Sequence, residues 1–388
     1  MAYRKRMNEI MENAQAAFDT ASAAEAVDVV LRMAAGLGAS DAHIDPRGDG
    51  VAIRYRIDGE LELAGIMPRR LHEEAIARLK ILSGARTDIH AIPQDGRFAV
   101  ELSGEPYNIR VSFMPTYRGE NAVVRLLPAR AKAQDSFASL GFTPDQVSIL
   151  DAALSAPNGL ILVTGPTGSG KTTTLRVCLG LKAREPLAIM TLEDPVEYEV
   201  PGVRHVHIRH AHGVTFASGL RSALRQDPDV IMIGEIRDNE TAKVVAHTAL
   251  TGHLVMSTLH TTSAIEAIVR LSDMGLERYL LASTLRLVVS QRLVRKICGE
   301  CGGGKSDRNL APDTCRICRG VGFRGRSVIS EILVVGPGLR ELIGAGASPV
   351  VIEAAAKADG FRPMKEDAEE KVDWGVTTNE EIRAALYS

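Results

Sequence analysis

The sequence predicts an α/β protein in which a parallel sheet forms the central domain, an α+β domain precedes it, and a cysteine-rich unit and helices follow. Short apolar runs between residues 160 and 260 alternate with helix-like segments, which is typical of a parallel sheet buried on both faces. Upstream of residue 130, apolar and polar residues alternate around tight turns, as in antiparallel strands. Two C-x2-C pairs lie between residues 298 and 318.

Residues 23–128 are predicted to form the α+β domain, after an arm over residues 1–22 that is either flexible or one surface helix. Alternating residues flank Asp58-Gly59, a pair that favours a tight hairpin turn. The predicted elements are strands over 51–57 and 60–63, a helix over 71–83 with Gly84 as its C-cap, and strands over 98–102, 107–113 and 123–127. Residues 129–145, rich in alanine and charge, are the predicted linker.

Residues 146–297 are predicted to form a nucleotide-binding core that begins with a strand, a glycine-rich loop and a helix. This order matches G-x4-G-K-[ST] in the structural context that a phosphate-binding loop requires. Glycines admit backbone N–H groups to the phosphates, Lys171 can reach the β- and γ-phosphates, and Thr172 can ligate Mg²⁺. A glycine-rich turn that binds nothing is the alternative. The predicted nucleotide contacts are Gly165, Pro166, Thr167, Gly168, Ser169, Gly170, Lys171, Thr172 and Thr173.

Three further strand-like runs end on polar residues, and they cover 187–192, 229–233 and 253–259. Because ligands bind at the carboxyl ends of parallel strands, we expect Glu193, Glu235 and His260 to converge beside Thr164. Hydrolysis of a γ-phosphate needs neutralised charge and an oriented water molecule.

Glu235 is therefore predicted to hold Mg²⁺ or its water ligands, and Glu193, with Glu197 as second choice, to polarise the attacking water. The alternative is that these carboxylates cap the helices that follow. His260 is predicted to contact the γ-phosphate or a subunit interface, unless it is an ordinary polar residue.

Three arginines of the first domain, Arg97, Arg110 and Arg125, are candidates for a second contribution to the nucleotide site. Arginines on a domain hinged beside a nucleotide can stabilise the charge that develops in the transition state. A solvated sheet face is the alternative for all three. Arg225 and Arg237 are candidates for a subunit interface instead.

The cysteine spacing predicts a structural zinc site over residues 298–330. Cys298 and Cys301 are separated from Cys315 and Cys318 by 13 residues, 302 to 314, in a segment rich in Gly, Asp and Arg. Four thiolates suit tetrahedral Zn²⁺, and the metal stabilises a unit too small to have its own apolar core. Two disulfides or free thiols are the alternative, which a reducing compartment disfavours. Cys178 is read as a small buried apolar residue.

The rest of the chain is predicted to be mainly helical. Ser263 and Glu266 have the spacing of a capping box, which predicts a helix start. A second helix is predicted over 283–295, leading into the cysteine unit, and a helical subdomain over 331–388 contains helices at 352–358 and 378–386.

Composition agrees with a nucleotide-binding protein that acts in the cytoplasm. The net charge is −2, and no apolar stretch reaches the ~18 residues of a membrane span or forms a signal peptide. A nucleic-acid motor of RecA or helicase type would need a basic, aromatic binding surface. The chain has only one Trp, seven Tyr and eight Phe, so no nucleic-acid partner is expected. A small-molecule kinase would not need the cysteine unit.

Four motifs carry a resemblance to a known family: the phosphate loop, the acidic box Thr191–Tyr198, the run Leu224–Asp238 and the histidine box Thr251–Thr261. Together they resemble the type II secretion and type IV pilus assembly ATPases, and the similarity extends over about residues 25–388. The resemblance implies a RecA-like P-loop NTPase core, Mg²⁺-dependent ATP hydrolysis, and a homo-hexamer. It also implies an inner-membrane platform protein as partner, with the motor peripheral to the membrane on its cytoplasmic face. Arg97 and Arg110 match the family's arginines that approach the nucleotide.

Several alternatives stay open within this family. The chain could serve pilus assembly, type II secretion or competence, and the arginines could act within their own subunit or on a neighbour. A retraction ATPase is a further alternative, although such relatives generally lack the two C-x2-C pairs. Longer members carry an additional N-terminal domain that docks on an inner-membrane partner. The short N-terminus is expected to reflect either a short natural member or a truncation.

Overall fold

The computed structural model describes residues 21–128, 136–304 and 320–387, together with 16, 18, 19, 315, 317 and 318. The predicted arm over 1–22 therefore falls mostly outside the described residues, as do residues 129–135 of the predicted linker. Contacts divide the chain into two compact units. The first contains residues 1–132 and 297–325, and the second contains 133–296 and 326–388.

The first unit is a six-stranded antiparallel sheet in the order β3-β2-β1-β6-β5-β4. Its strands are β1 (Asp41–Pro46), β2 (Val51–Ile57), β3 (Glu60–Met67), β4 (Gln94–Leu102), β5 (Glu105–Thr116) and β6 (Gly119–Pro128). Helices α1 (Ala23–Leu37) and α2 (His72–Ser83) bury their apolar faces in the core of this unit. The predicted α+β domain is confirmed.

Turn chemistry determines the hairpins of this sheet. Asp58 and Gly59 adopt φ values of 49° and 98°, as the two-residue turn between β2 and β3 requires. Ser103 and Gly104 do the same between β4 and β5, so this turn is tighter than the four-residue connection expected. Gly84 ends α2 in the left-handed conformation, which confirms it as the C-cap.

The second unit contains a seven-stranded sheet in the order β13-β12-β7-β11-β10-β8-β9. The pairings from β12 through β7, β11, β10 and β8 to β9 are all parallel. Its strands are β7 (Gly159–Thr164), β8 (Ile189–Glu193), β9 (Val203–His207), β10 (Val230–Ile233), β11 (Leu254–Leu259), β12 (Leu285–Ile297) and β13 (Phe323–Val334). Every residue of β7, β8, β10 and β11 is buried, as predicted for a sheet covered on both faces.

Helices flank the strands of this sheet along the chain, and the helices predicted after the phosphate loop and after Ser263 are both found. Ser263 caps its helix by accepting a hydrogen bond from the Glu266 backbone N–H, as the capping box predicts. The helices are α3 (Phe137–Leu140), α4 (Pro144–Leu154), α5 (Lys171–Lys182), α6 (Phe216–Ala223), α7 (Asn239–Leu250), α8 (Ala264–Asp273), α9 (Arg278–Thr284), α10 (Pro337–Ala345), α11 (Pro349–Ala358), α12 (Met364–Asp373) and α13 (Asn379–Tyr387).

The prediction of a helix over 283–295 is wrong. The chain leaves α9 at Thr284 and continues as β12, which pairs in parallel with β7. Leu285, Leu287 and Val288 are buried in this strand. A continuous apolar run does not distinguish a buried strand from a buried helix by its periodicity.

Three predicted boundaries differ from the structure. Phe137, Leu140 and Phe142 of the predicted linker are buried in the core of the second unit. The cysteine segment is grouped with the first unit, and β13 begins inside the predicted zinc unit. The C-terminal helices α10 and α11 join the main core of the second unit instead of forming a separate subdomain. None of the described helices has both the length and the apolar composition that crossing a membrane requires.

Candidate nucleotide site

The loop between β7 and α5 has the backbone of a phosphate-binding loop. Gly165, Gly168 and Gly170 have φ values of 145°, 81° and 91°, which side-chain-bearing residues rarely adopt. A Cβ on Gly165 would lie 2.5 Å from the Gln291 carbonyl oxygen, so the loop passes too close to β12 for any other residue. No side chain caps the N-terminus of α5. The N–H groups and positive end of this helix are therefore suited to bind an anion.

Lys171, the first residue of α5, folds over this loop. Its Nζ donates hydrogen bonds to the carbonyl oxygens of Gly165 at 2.8 Å and Pro166 at 3.0 Å. Burial, and then the charge of Arg292, lowers the pKa of Lys171 to about 8, although the Glu235 carboxylate opposes this shift. An arriving phosphate would favour the charged ammonium group, so the site is arranged to gain charge when an anion binds.

Gln291 of β12 supports the phosphate loop through hydrogen bonds, and this role was not predicted from the sequence. This side chain is fully buried, and its Nε2 donates to the Ser169 carbonyl oxygen at 2.8 Å. Its Oε1 accepts a hydrogen bond from Thr174 Oγ1 on α5 at 2.9 Å. One amide thus joins the loop to the first turn of the helix. The sequence feature that could have indicated this role is a polar residue inside the apolar run of β12.

Glu235, two residues after the end of β10, lies beside two basic side chains. Arg237 Nη2 is 2.7 Å from Glu235 Oε1, and His260 Nε2 is 3.6 Å from Glu235 Oε2. Burial, followed by the charge of Lys171, lowers the pKa of His260 and favours its neutral form. The ends of β7 and β11 are joined by Thr164 and Thr261, whose hydroxyl oxygens are 2.7 Å apart. The predicted meeting of Glu235 and His260 at this sheet edge is therefore found.

Glu193 occupies the end of β8, and its partners were not predicted. Its Oε1 accepts a hydrogen bond from Thr191 Oγ1 at 2.7 Å and lies 2.9 Å from His205 Nδ1. The Glu193 side chain is 8% exposed. In the neighbouring acidic residue, Asp194, one carboxylate oxygen lies 3.3 Å from His210 Nε2.

Arg237 and Arg225 were predicted as interface residues. Arg237 belongs to the Glu235 cluster, where hydrogen bonding to that carboxylate raises its pKa. Arg225 donates to the Arg221 carbonyl oxygen and to Ser222 Oγ on its own stretch of chain. An interface role for either residue stays a prediction.

In the first unit, the predicted arginines form a row across neighbouring strands. Arg97 of β4 is directly opposite Arg110 of β5, which in turn is opposite Arg125 of β6. Directly opposed residues share one face of an antiparallel sheet, and like charges in that position destabilise it. Arg125 Nε donates a hydrogen bond to Asp41 Oδ1 at 2.9 Å.

The cysteine segment forms a second candidate site, also in the first unit. Cys298, Cys301, Cys315 and Cys318 are buried, and their sulfur atoms all lie within 4.8 Å of one another. The Cys301–Cys318 and Cys298–Cys315 sulfur pairs are 3.5 Å and 3.8 Å apart, too far for disulfides, and all four cysteines are free thiols. Tetrahedral Zn–S bonds of about 2.3 Å would separate the sulfurs by roughly 3.8 Å, so the four thiols can hold one metal ion.

Comparison with known proteins finds one family over nearly the whole chain. The family model described as "Type II/IV secretion system protein" matches residues 16–384. The type II secretion system protein HxcR of Pseudomonas aeruginosa is 42% identical over 94% of this chain and 77% of its own length. The type IV pilus assembly ATPase PilB of Thermus thermophilus is 40% identical, over 94% of this chain and 43% of its own length.

Solved structures agree with the fold. The pilus retraction motor PilT with bound ADP matches with a TM-score of 0.66 and 28% identity, covering 91% of this chain and 95% of that chain. The ATPase DotB of Yersinia pseudotuberculosis matches with a TM-score of 0.70 over 93% of this chain and 92% of that one. At 23% identity, the DotB match supports the fold alone. The predicted α/β fold, with a core of the nucleotide-binding type, is confirmed.

Proposed function

Because the chain belongs to the type II/IV secretion system protein family, we propose that it is a Mg²⁺-dependent ATPase that works as a hexameric motor. Its work is the assembly of a type IV pilus or of a type II secretion pseudopilus. The geometry of the phosphate loop carries the proposal. A positive-φ glycine loop, an uncapped helix N-terminus and a buried lysine meet at the sheet edge where Glu235 lies.

The chemistry divides among the residues at this edge. The loop over residues 165–173 and Lys171 bind the phosphates of ATP. Thr172 and Glu235 would hold Mg²⁺, and the bound ion would neutralise phosphate charge. Glu193 accepts a hydrogen bond from the attacking water and orients it toward the γ-phosphate. His260, whose neutral form is favoured, donates a hydrogen bond to a γ-phosphate oxygen.

Arg97 and Arg110 complete the proposed catalytic set. They supply positive charge to the transition state, either in their own chain or in a neighbouring subunit. Their side-by-side position on β4 and β5 supports this role, because two adjacent guanidinium groups favour a multiply charged anion. Arg125, which donates a hydrogen bond to Asp41, is assigned no such role.

The setting of the motor follows from the same proposal. Six chains form the ring, which acts at the cytoplasmic face of the inner membrane as a peripheral protein. An inner-membrane platform protein is the proposed partner, and nucleic acid is not. Zn²⁺ is proposed as the metal of the four cysteines, where it has a structural role because four thiolates leave no open coordination position.

Replacement of Glu193 by Gln tests the catalytic assignment. This change preserves shape and removes the negative charge, so ATP should still bind while turnover falls by at least about a hundredfold. Glu197→Gln is the matched control, and it should keep most of the activity. Wild-type turnover in Glu193→Gln together with an inactive Glu197→Gln would transfer the role to Glu197.

A second experiment tests the assignment as an assembly or secretion motor. ATP hydrolysis should be stimulated by the cytoplasmic part of an inner-membrane platform protein and left unchanged by single-stranded DNA. Stimulation by DNA alone would favour a nucleic-acid motor. A retraction motor is the second candidate, since PilT is among the structural matches. Loss of surface pili after deletion of the gene supports assembly, whereas hyperpiliation supports retraction.

A further inference from the structure

His205 is placed to control the carboxylate that we assign to the attacking water. It lies on β9 directly opposite Thr191 of β8, in the parallel register that joins these strands. Its Nδ1 is 2.9 Å from Glu193 Oε1 and 2.9 Å from Thr191 Oγ1. The His205 side chain is 10% exposed, so it is held among protein atoms instead of moving in solvent.

A backbone contact determines which nitrogen of His205 carries the proton. The Val200 N–H donates a hydrogen bond to His205 Nε2 at 3.0 Å, so Nε2 acts as an acceptor. A neutral imidazole that accepts at Nε2 carries its hydrogen at Nδ1. The Nδ1–H group therefore donates to Glu193 Oε1.

Both hydrogen bonds to Glu193 fall on the same oxygen. Thr191 Oγ1 and His205 Nδ1 donate to Oε1, and no described residue donates to Oε2. Oε2 is not among the fully buried side-chain atoms that lack a partner, so it keeps some accessible surface. The two donors thus fix the rotation of the carboxylate and leave one lone-pair-bearing oxygen available.

We propose that His205 is a positioning residue that, with Thr191, orients Glu193 so that Oε2 receives the attacking water. The inference rests on the proposed ATPase function. It extends that function by adding a residue that contacts neither the nucleotide nor the metal. Misplacement of a catalytic group by about 1 Å can cost about a hundredfold in rate.

Two substitutions separate the positioning role from a merely structural one. His205→Asn keeps an N–H donor near the Nδ1 position and loses the acceptor for Val200. His205→Gln keeps an acceptor near the Nε2 position and loses the donor to Glu193. We expect kcat to stay within about threefold of wild type in His205→Asn and to fall at least about tenfold in His205→Gln. The KM for ATP should change little in both.

Thr191→Val is the companion variant, because it removes the other donor to Glu193 without affecting the Val200 amide. It should lower kcat and leave KM unchanged. His210→Asn is the matched control, since His210 faces the neighbouring Asp194 and is 57% exposed. Its kcat should equal that of wild type. Melting temperatures of all variants show whether each chain folds.

The outcomes are distinct. Wild-type kcat in His205→Gln, or a loss in His205→Asn alone, would overturn the positioning role and leave only support of the Val200 segment. Glu193→Gln, assayed in parallel, distinguishes a failure of this inference from a failure of the proposed function. If Glu193→Gln is inactive while the His205 and Thr191 variants turn over normally, this inference fails and the proposed function stands. If Glu193→Gln is fully active, the assignment of Glu193 fails as well.

Discussion

The charge of Lys171 is the most finely balanced feature of the site. Burial lowers its pKa to about 8, so the free protein contains both charged and neutral lysine near physiological pH. A bound phosphate favours the charged form. Nucleotide binding above pH 8 must therefore include the uptake of a proton by this side chain.

Raising the pH from 7 to 9 should therefore weaken ATP binding. Well below pH 8 the lysine is mostly protonated and the Kd should be nearly constant; well above pH 8, the Kd should rise about tenfold per pH unit. Calorimetry at pH 9 in two buffers of different ionisation enthalpy should detect the uptake of about one proton. Lys171→Met should bind weakly with no such uptake. A pH-independent Kd in the wild type would contradict the shifted pKa.

Gln291 offers a second test at the level of single residues. Gln291→Leu leaves the buried Ser169 carbonyl and the Thr174 hydroxyl without their partner, at a cost of about 1–3 kcal/mol. The Kd for ATP should therefore rise about tenfold, because the loop loses its support. Thr174→Val should have a smaller effect.

The double variant of Gln291 and Thr174 provides the control. Once Gln291 is replaced, the Thr174 hydroxyl has lost the partner that gives it a role. The Kd of the double variant should therefore match that of Gln291→Leu alone. Fully additive effects would show that the two side chains act independently.

At the scale of elements, local signals made most of the fold predictable. Asp58-Gly59, Gly84 and the Ser263 cap each specify a turn or a helix end within a few residues, and all three are found. The phosphate loop is equally local, since the strand, glycines and helix are contiguous. Such features depend on backbone conformation and short-range hydrogen bonds, which the sequence encodes directly.

Long-range features were not predictable in the same way. Strand β12 was expected to be a helix, because its burial depends on pairing with β7, more than 100 residues earlier in the chain. Gln291 and Ser169 form a hydrogen bond although they are 122 residues apart in the sequence, and no spacing pattern predicts such a contact. His205 lies only 12 residues from Glu193, but their meeting depends on the parallel pairing of β8 and β9.

The predicted zinc site lies in the cysteine segment between β12 and β13, and it can be tested by metal analysis and thiol labelling. Purified reduced protein should contain about one zinc per chain, and its four clustered cysteines should resist thiol reagents until a chelator removes the metal. Cys178 is an internal reference, because burial raises its pKa to about 12. Cys178 should react only after unfolding. The number of reactive thiols should therefore rise from four in the folded, metal-free protein to five in the unfolded protein.

Nucleotide binding should survive removal of the metal, because the phosphate loop belongs to the other unit. Cys178→Ala should lower the number of reactive thiols in denaturant by one and leave the number in the folded protein unchanged. Absence of zinc from freshly purified, fully reduced protein would contradict the metal assignment and leave four free thiols.

At the scale of the whole molecule, the first unit has one apolar and one charged sheet face. Ile109, Val111 and Val124 are buried in the core of this unit. Arg110 and Arg125 alternate with them along β5 and β6 and therefore lie on the opposite face. This charged face is the one on which Arg97 and Arg110 are proposed to act.

The last prediction concerns Arg97 and Arg110 as part of a ring motor. Arg97→Ala and Arg110→Ala should bind ATP almost normally and hydrolyse it about a thousandfold more slowly, since the arginines act on transition-state charge. Arg125→Ala is the matched control on the same row and should retain most activity. Turnover per chain should rise with protein concentration as rings form. A wild-type protein that stays monomeric by light scattering with saturating ATP, yet hydrolyses it at full rate, would exclude the ring and leave an ATPase that works alone.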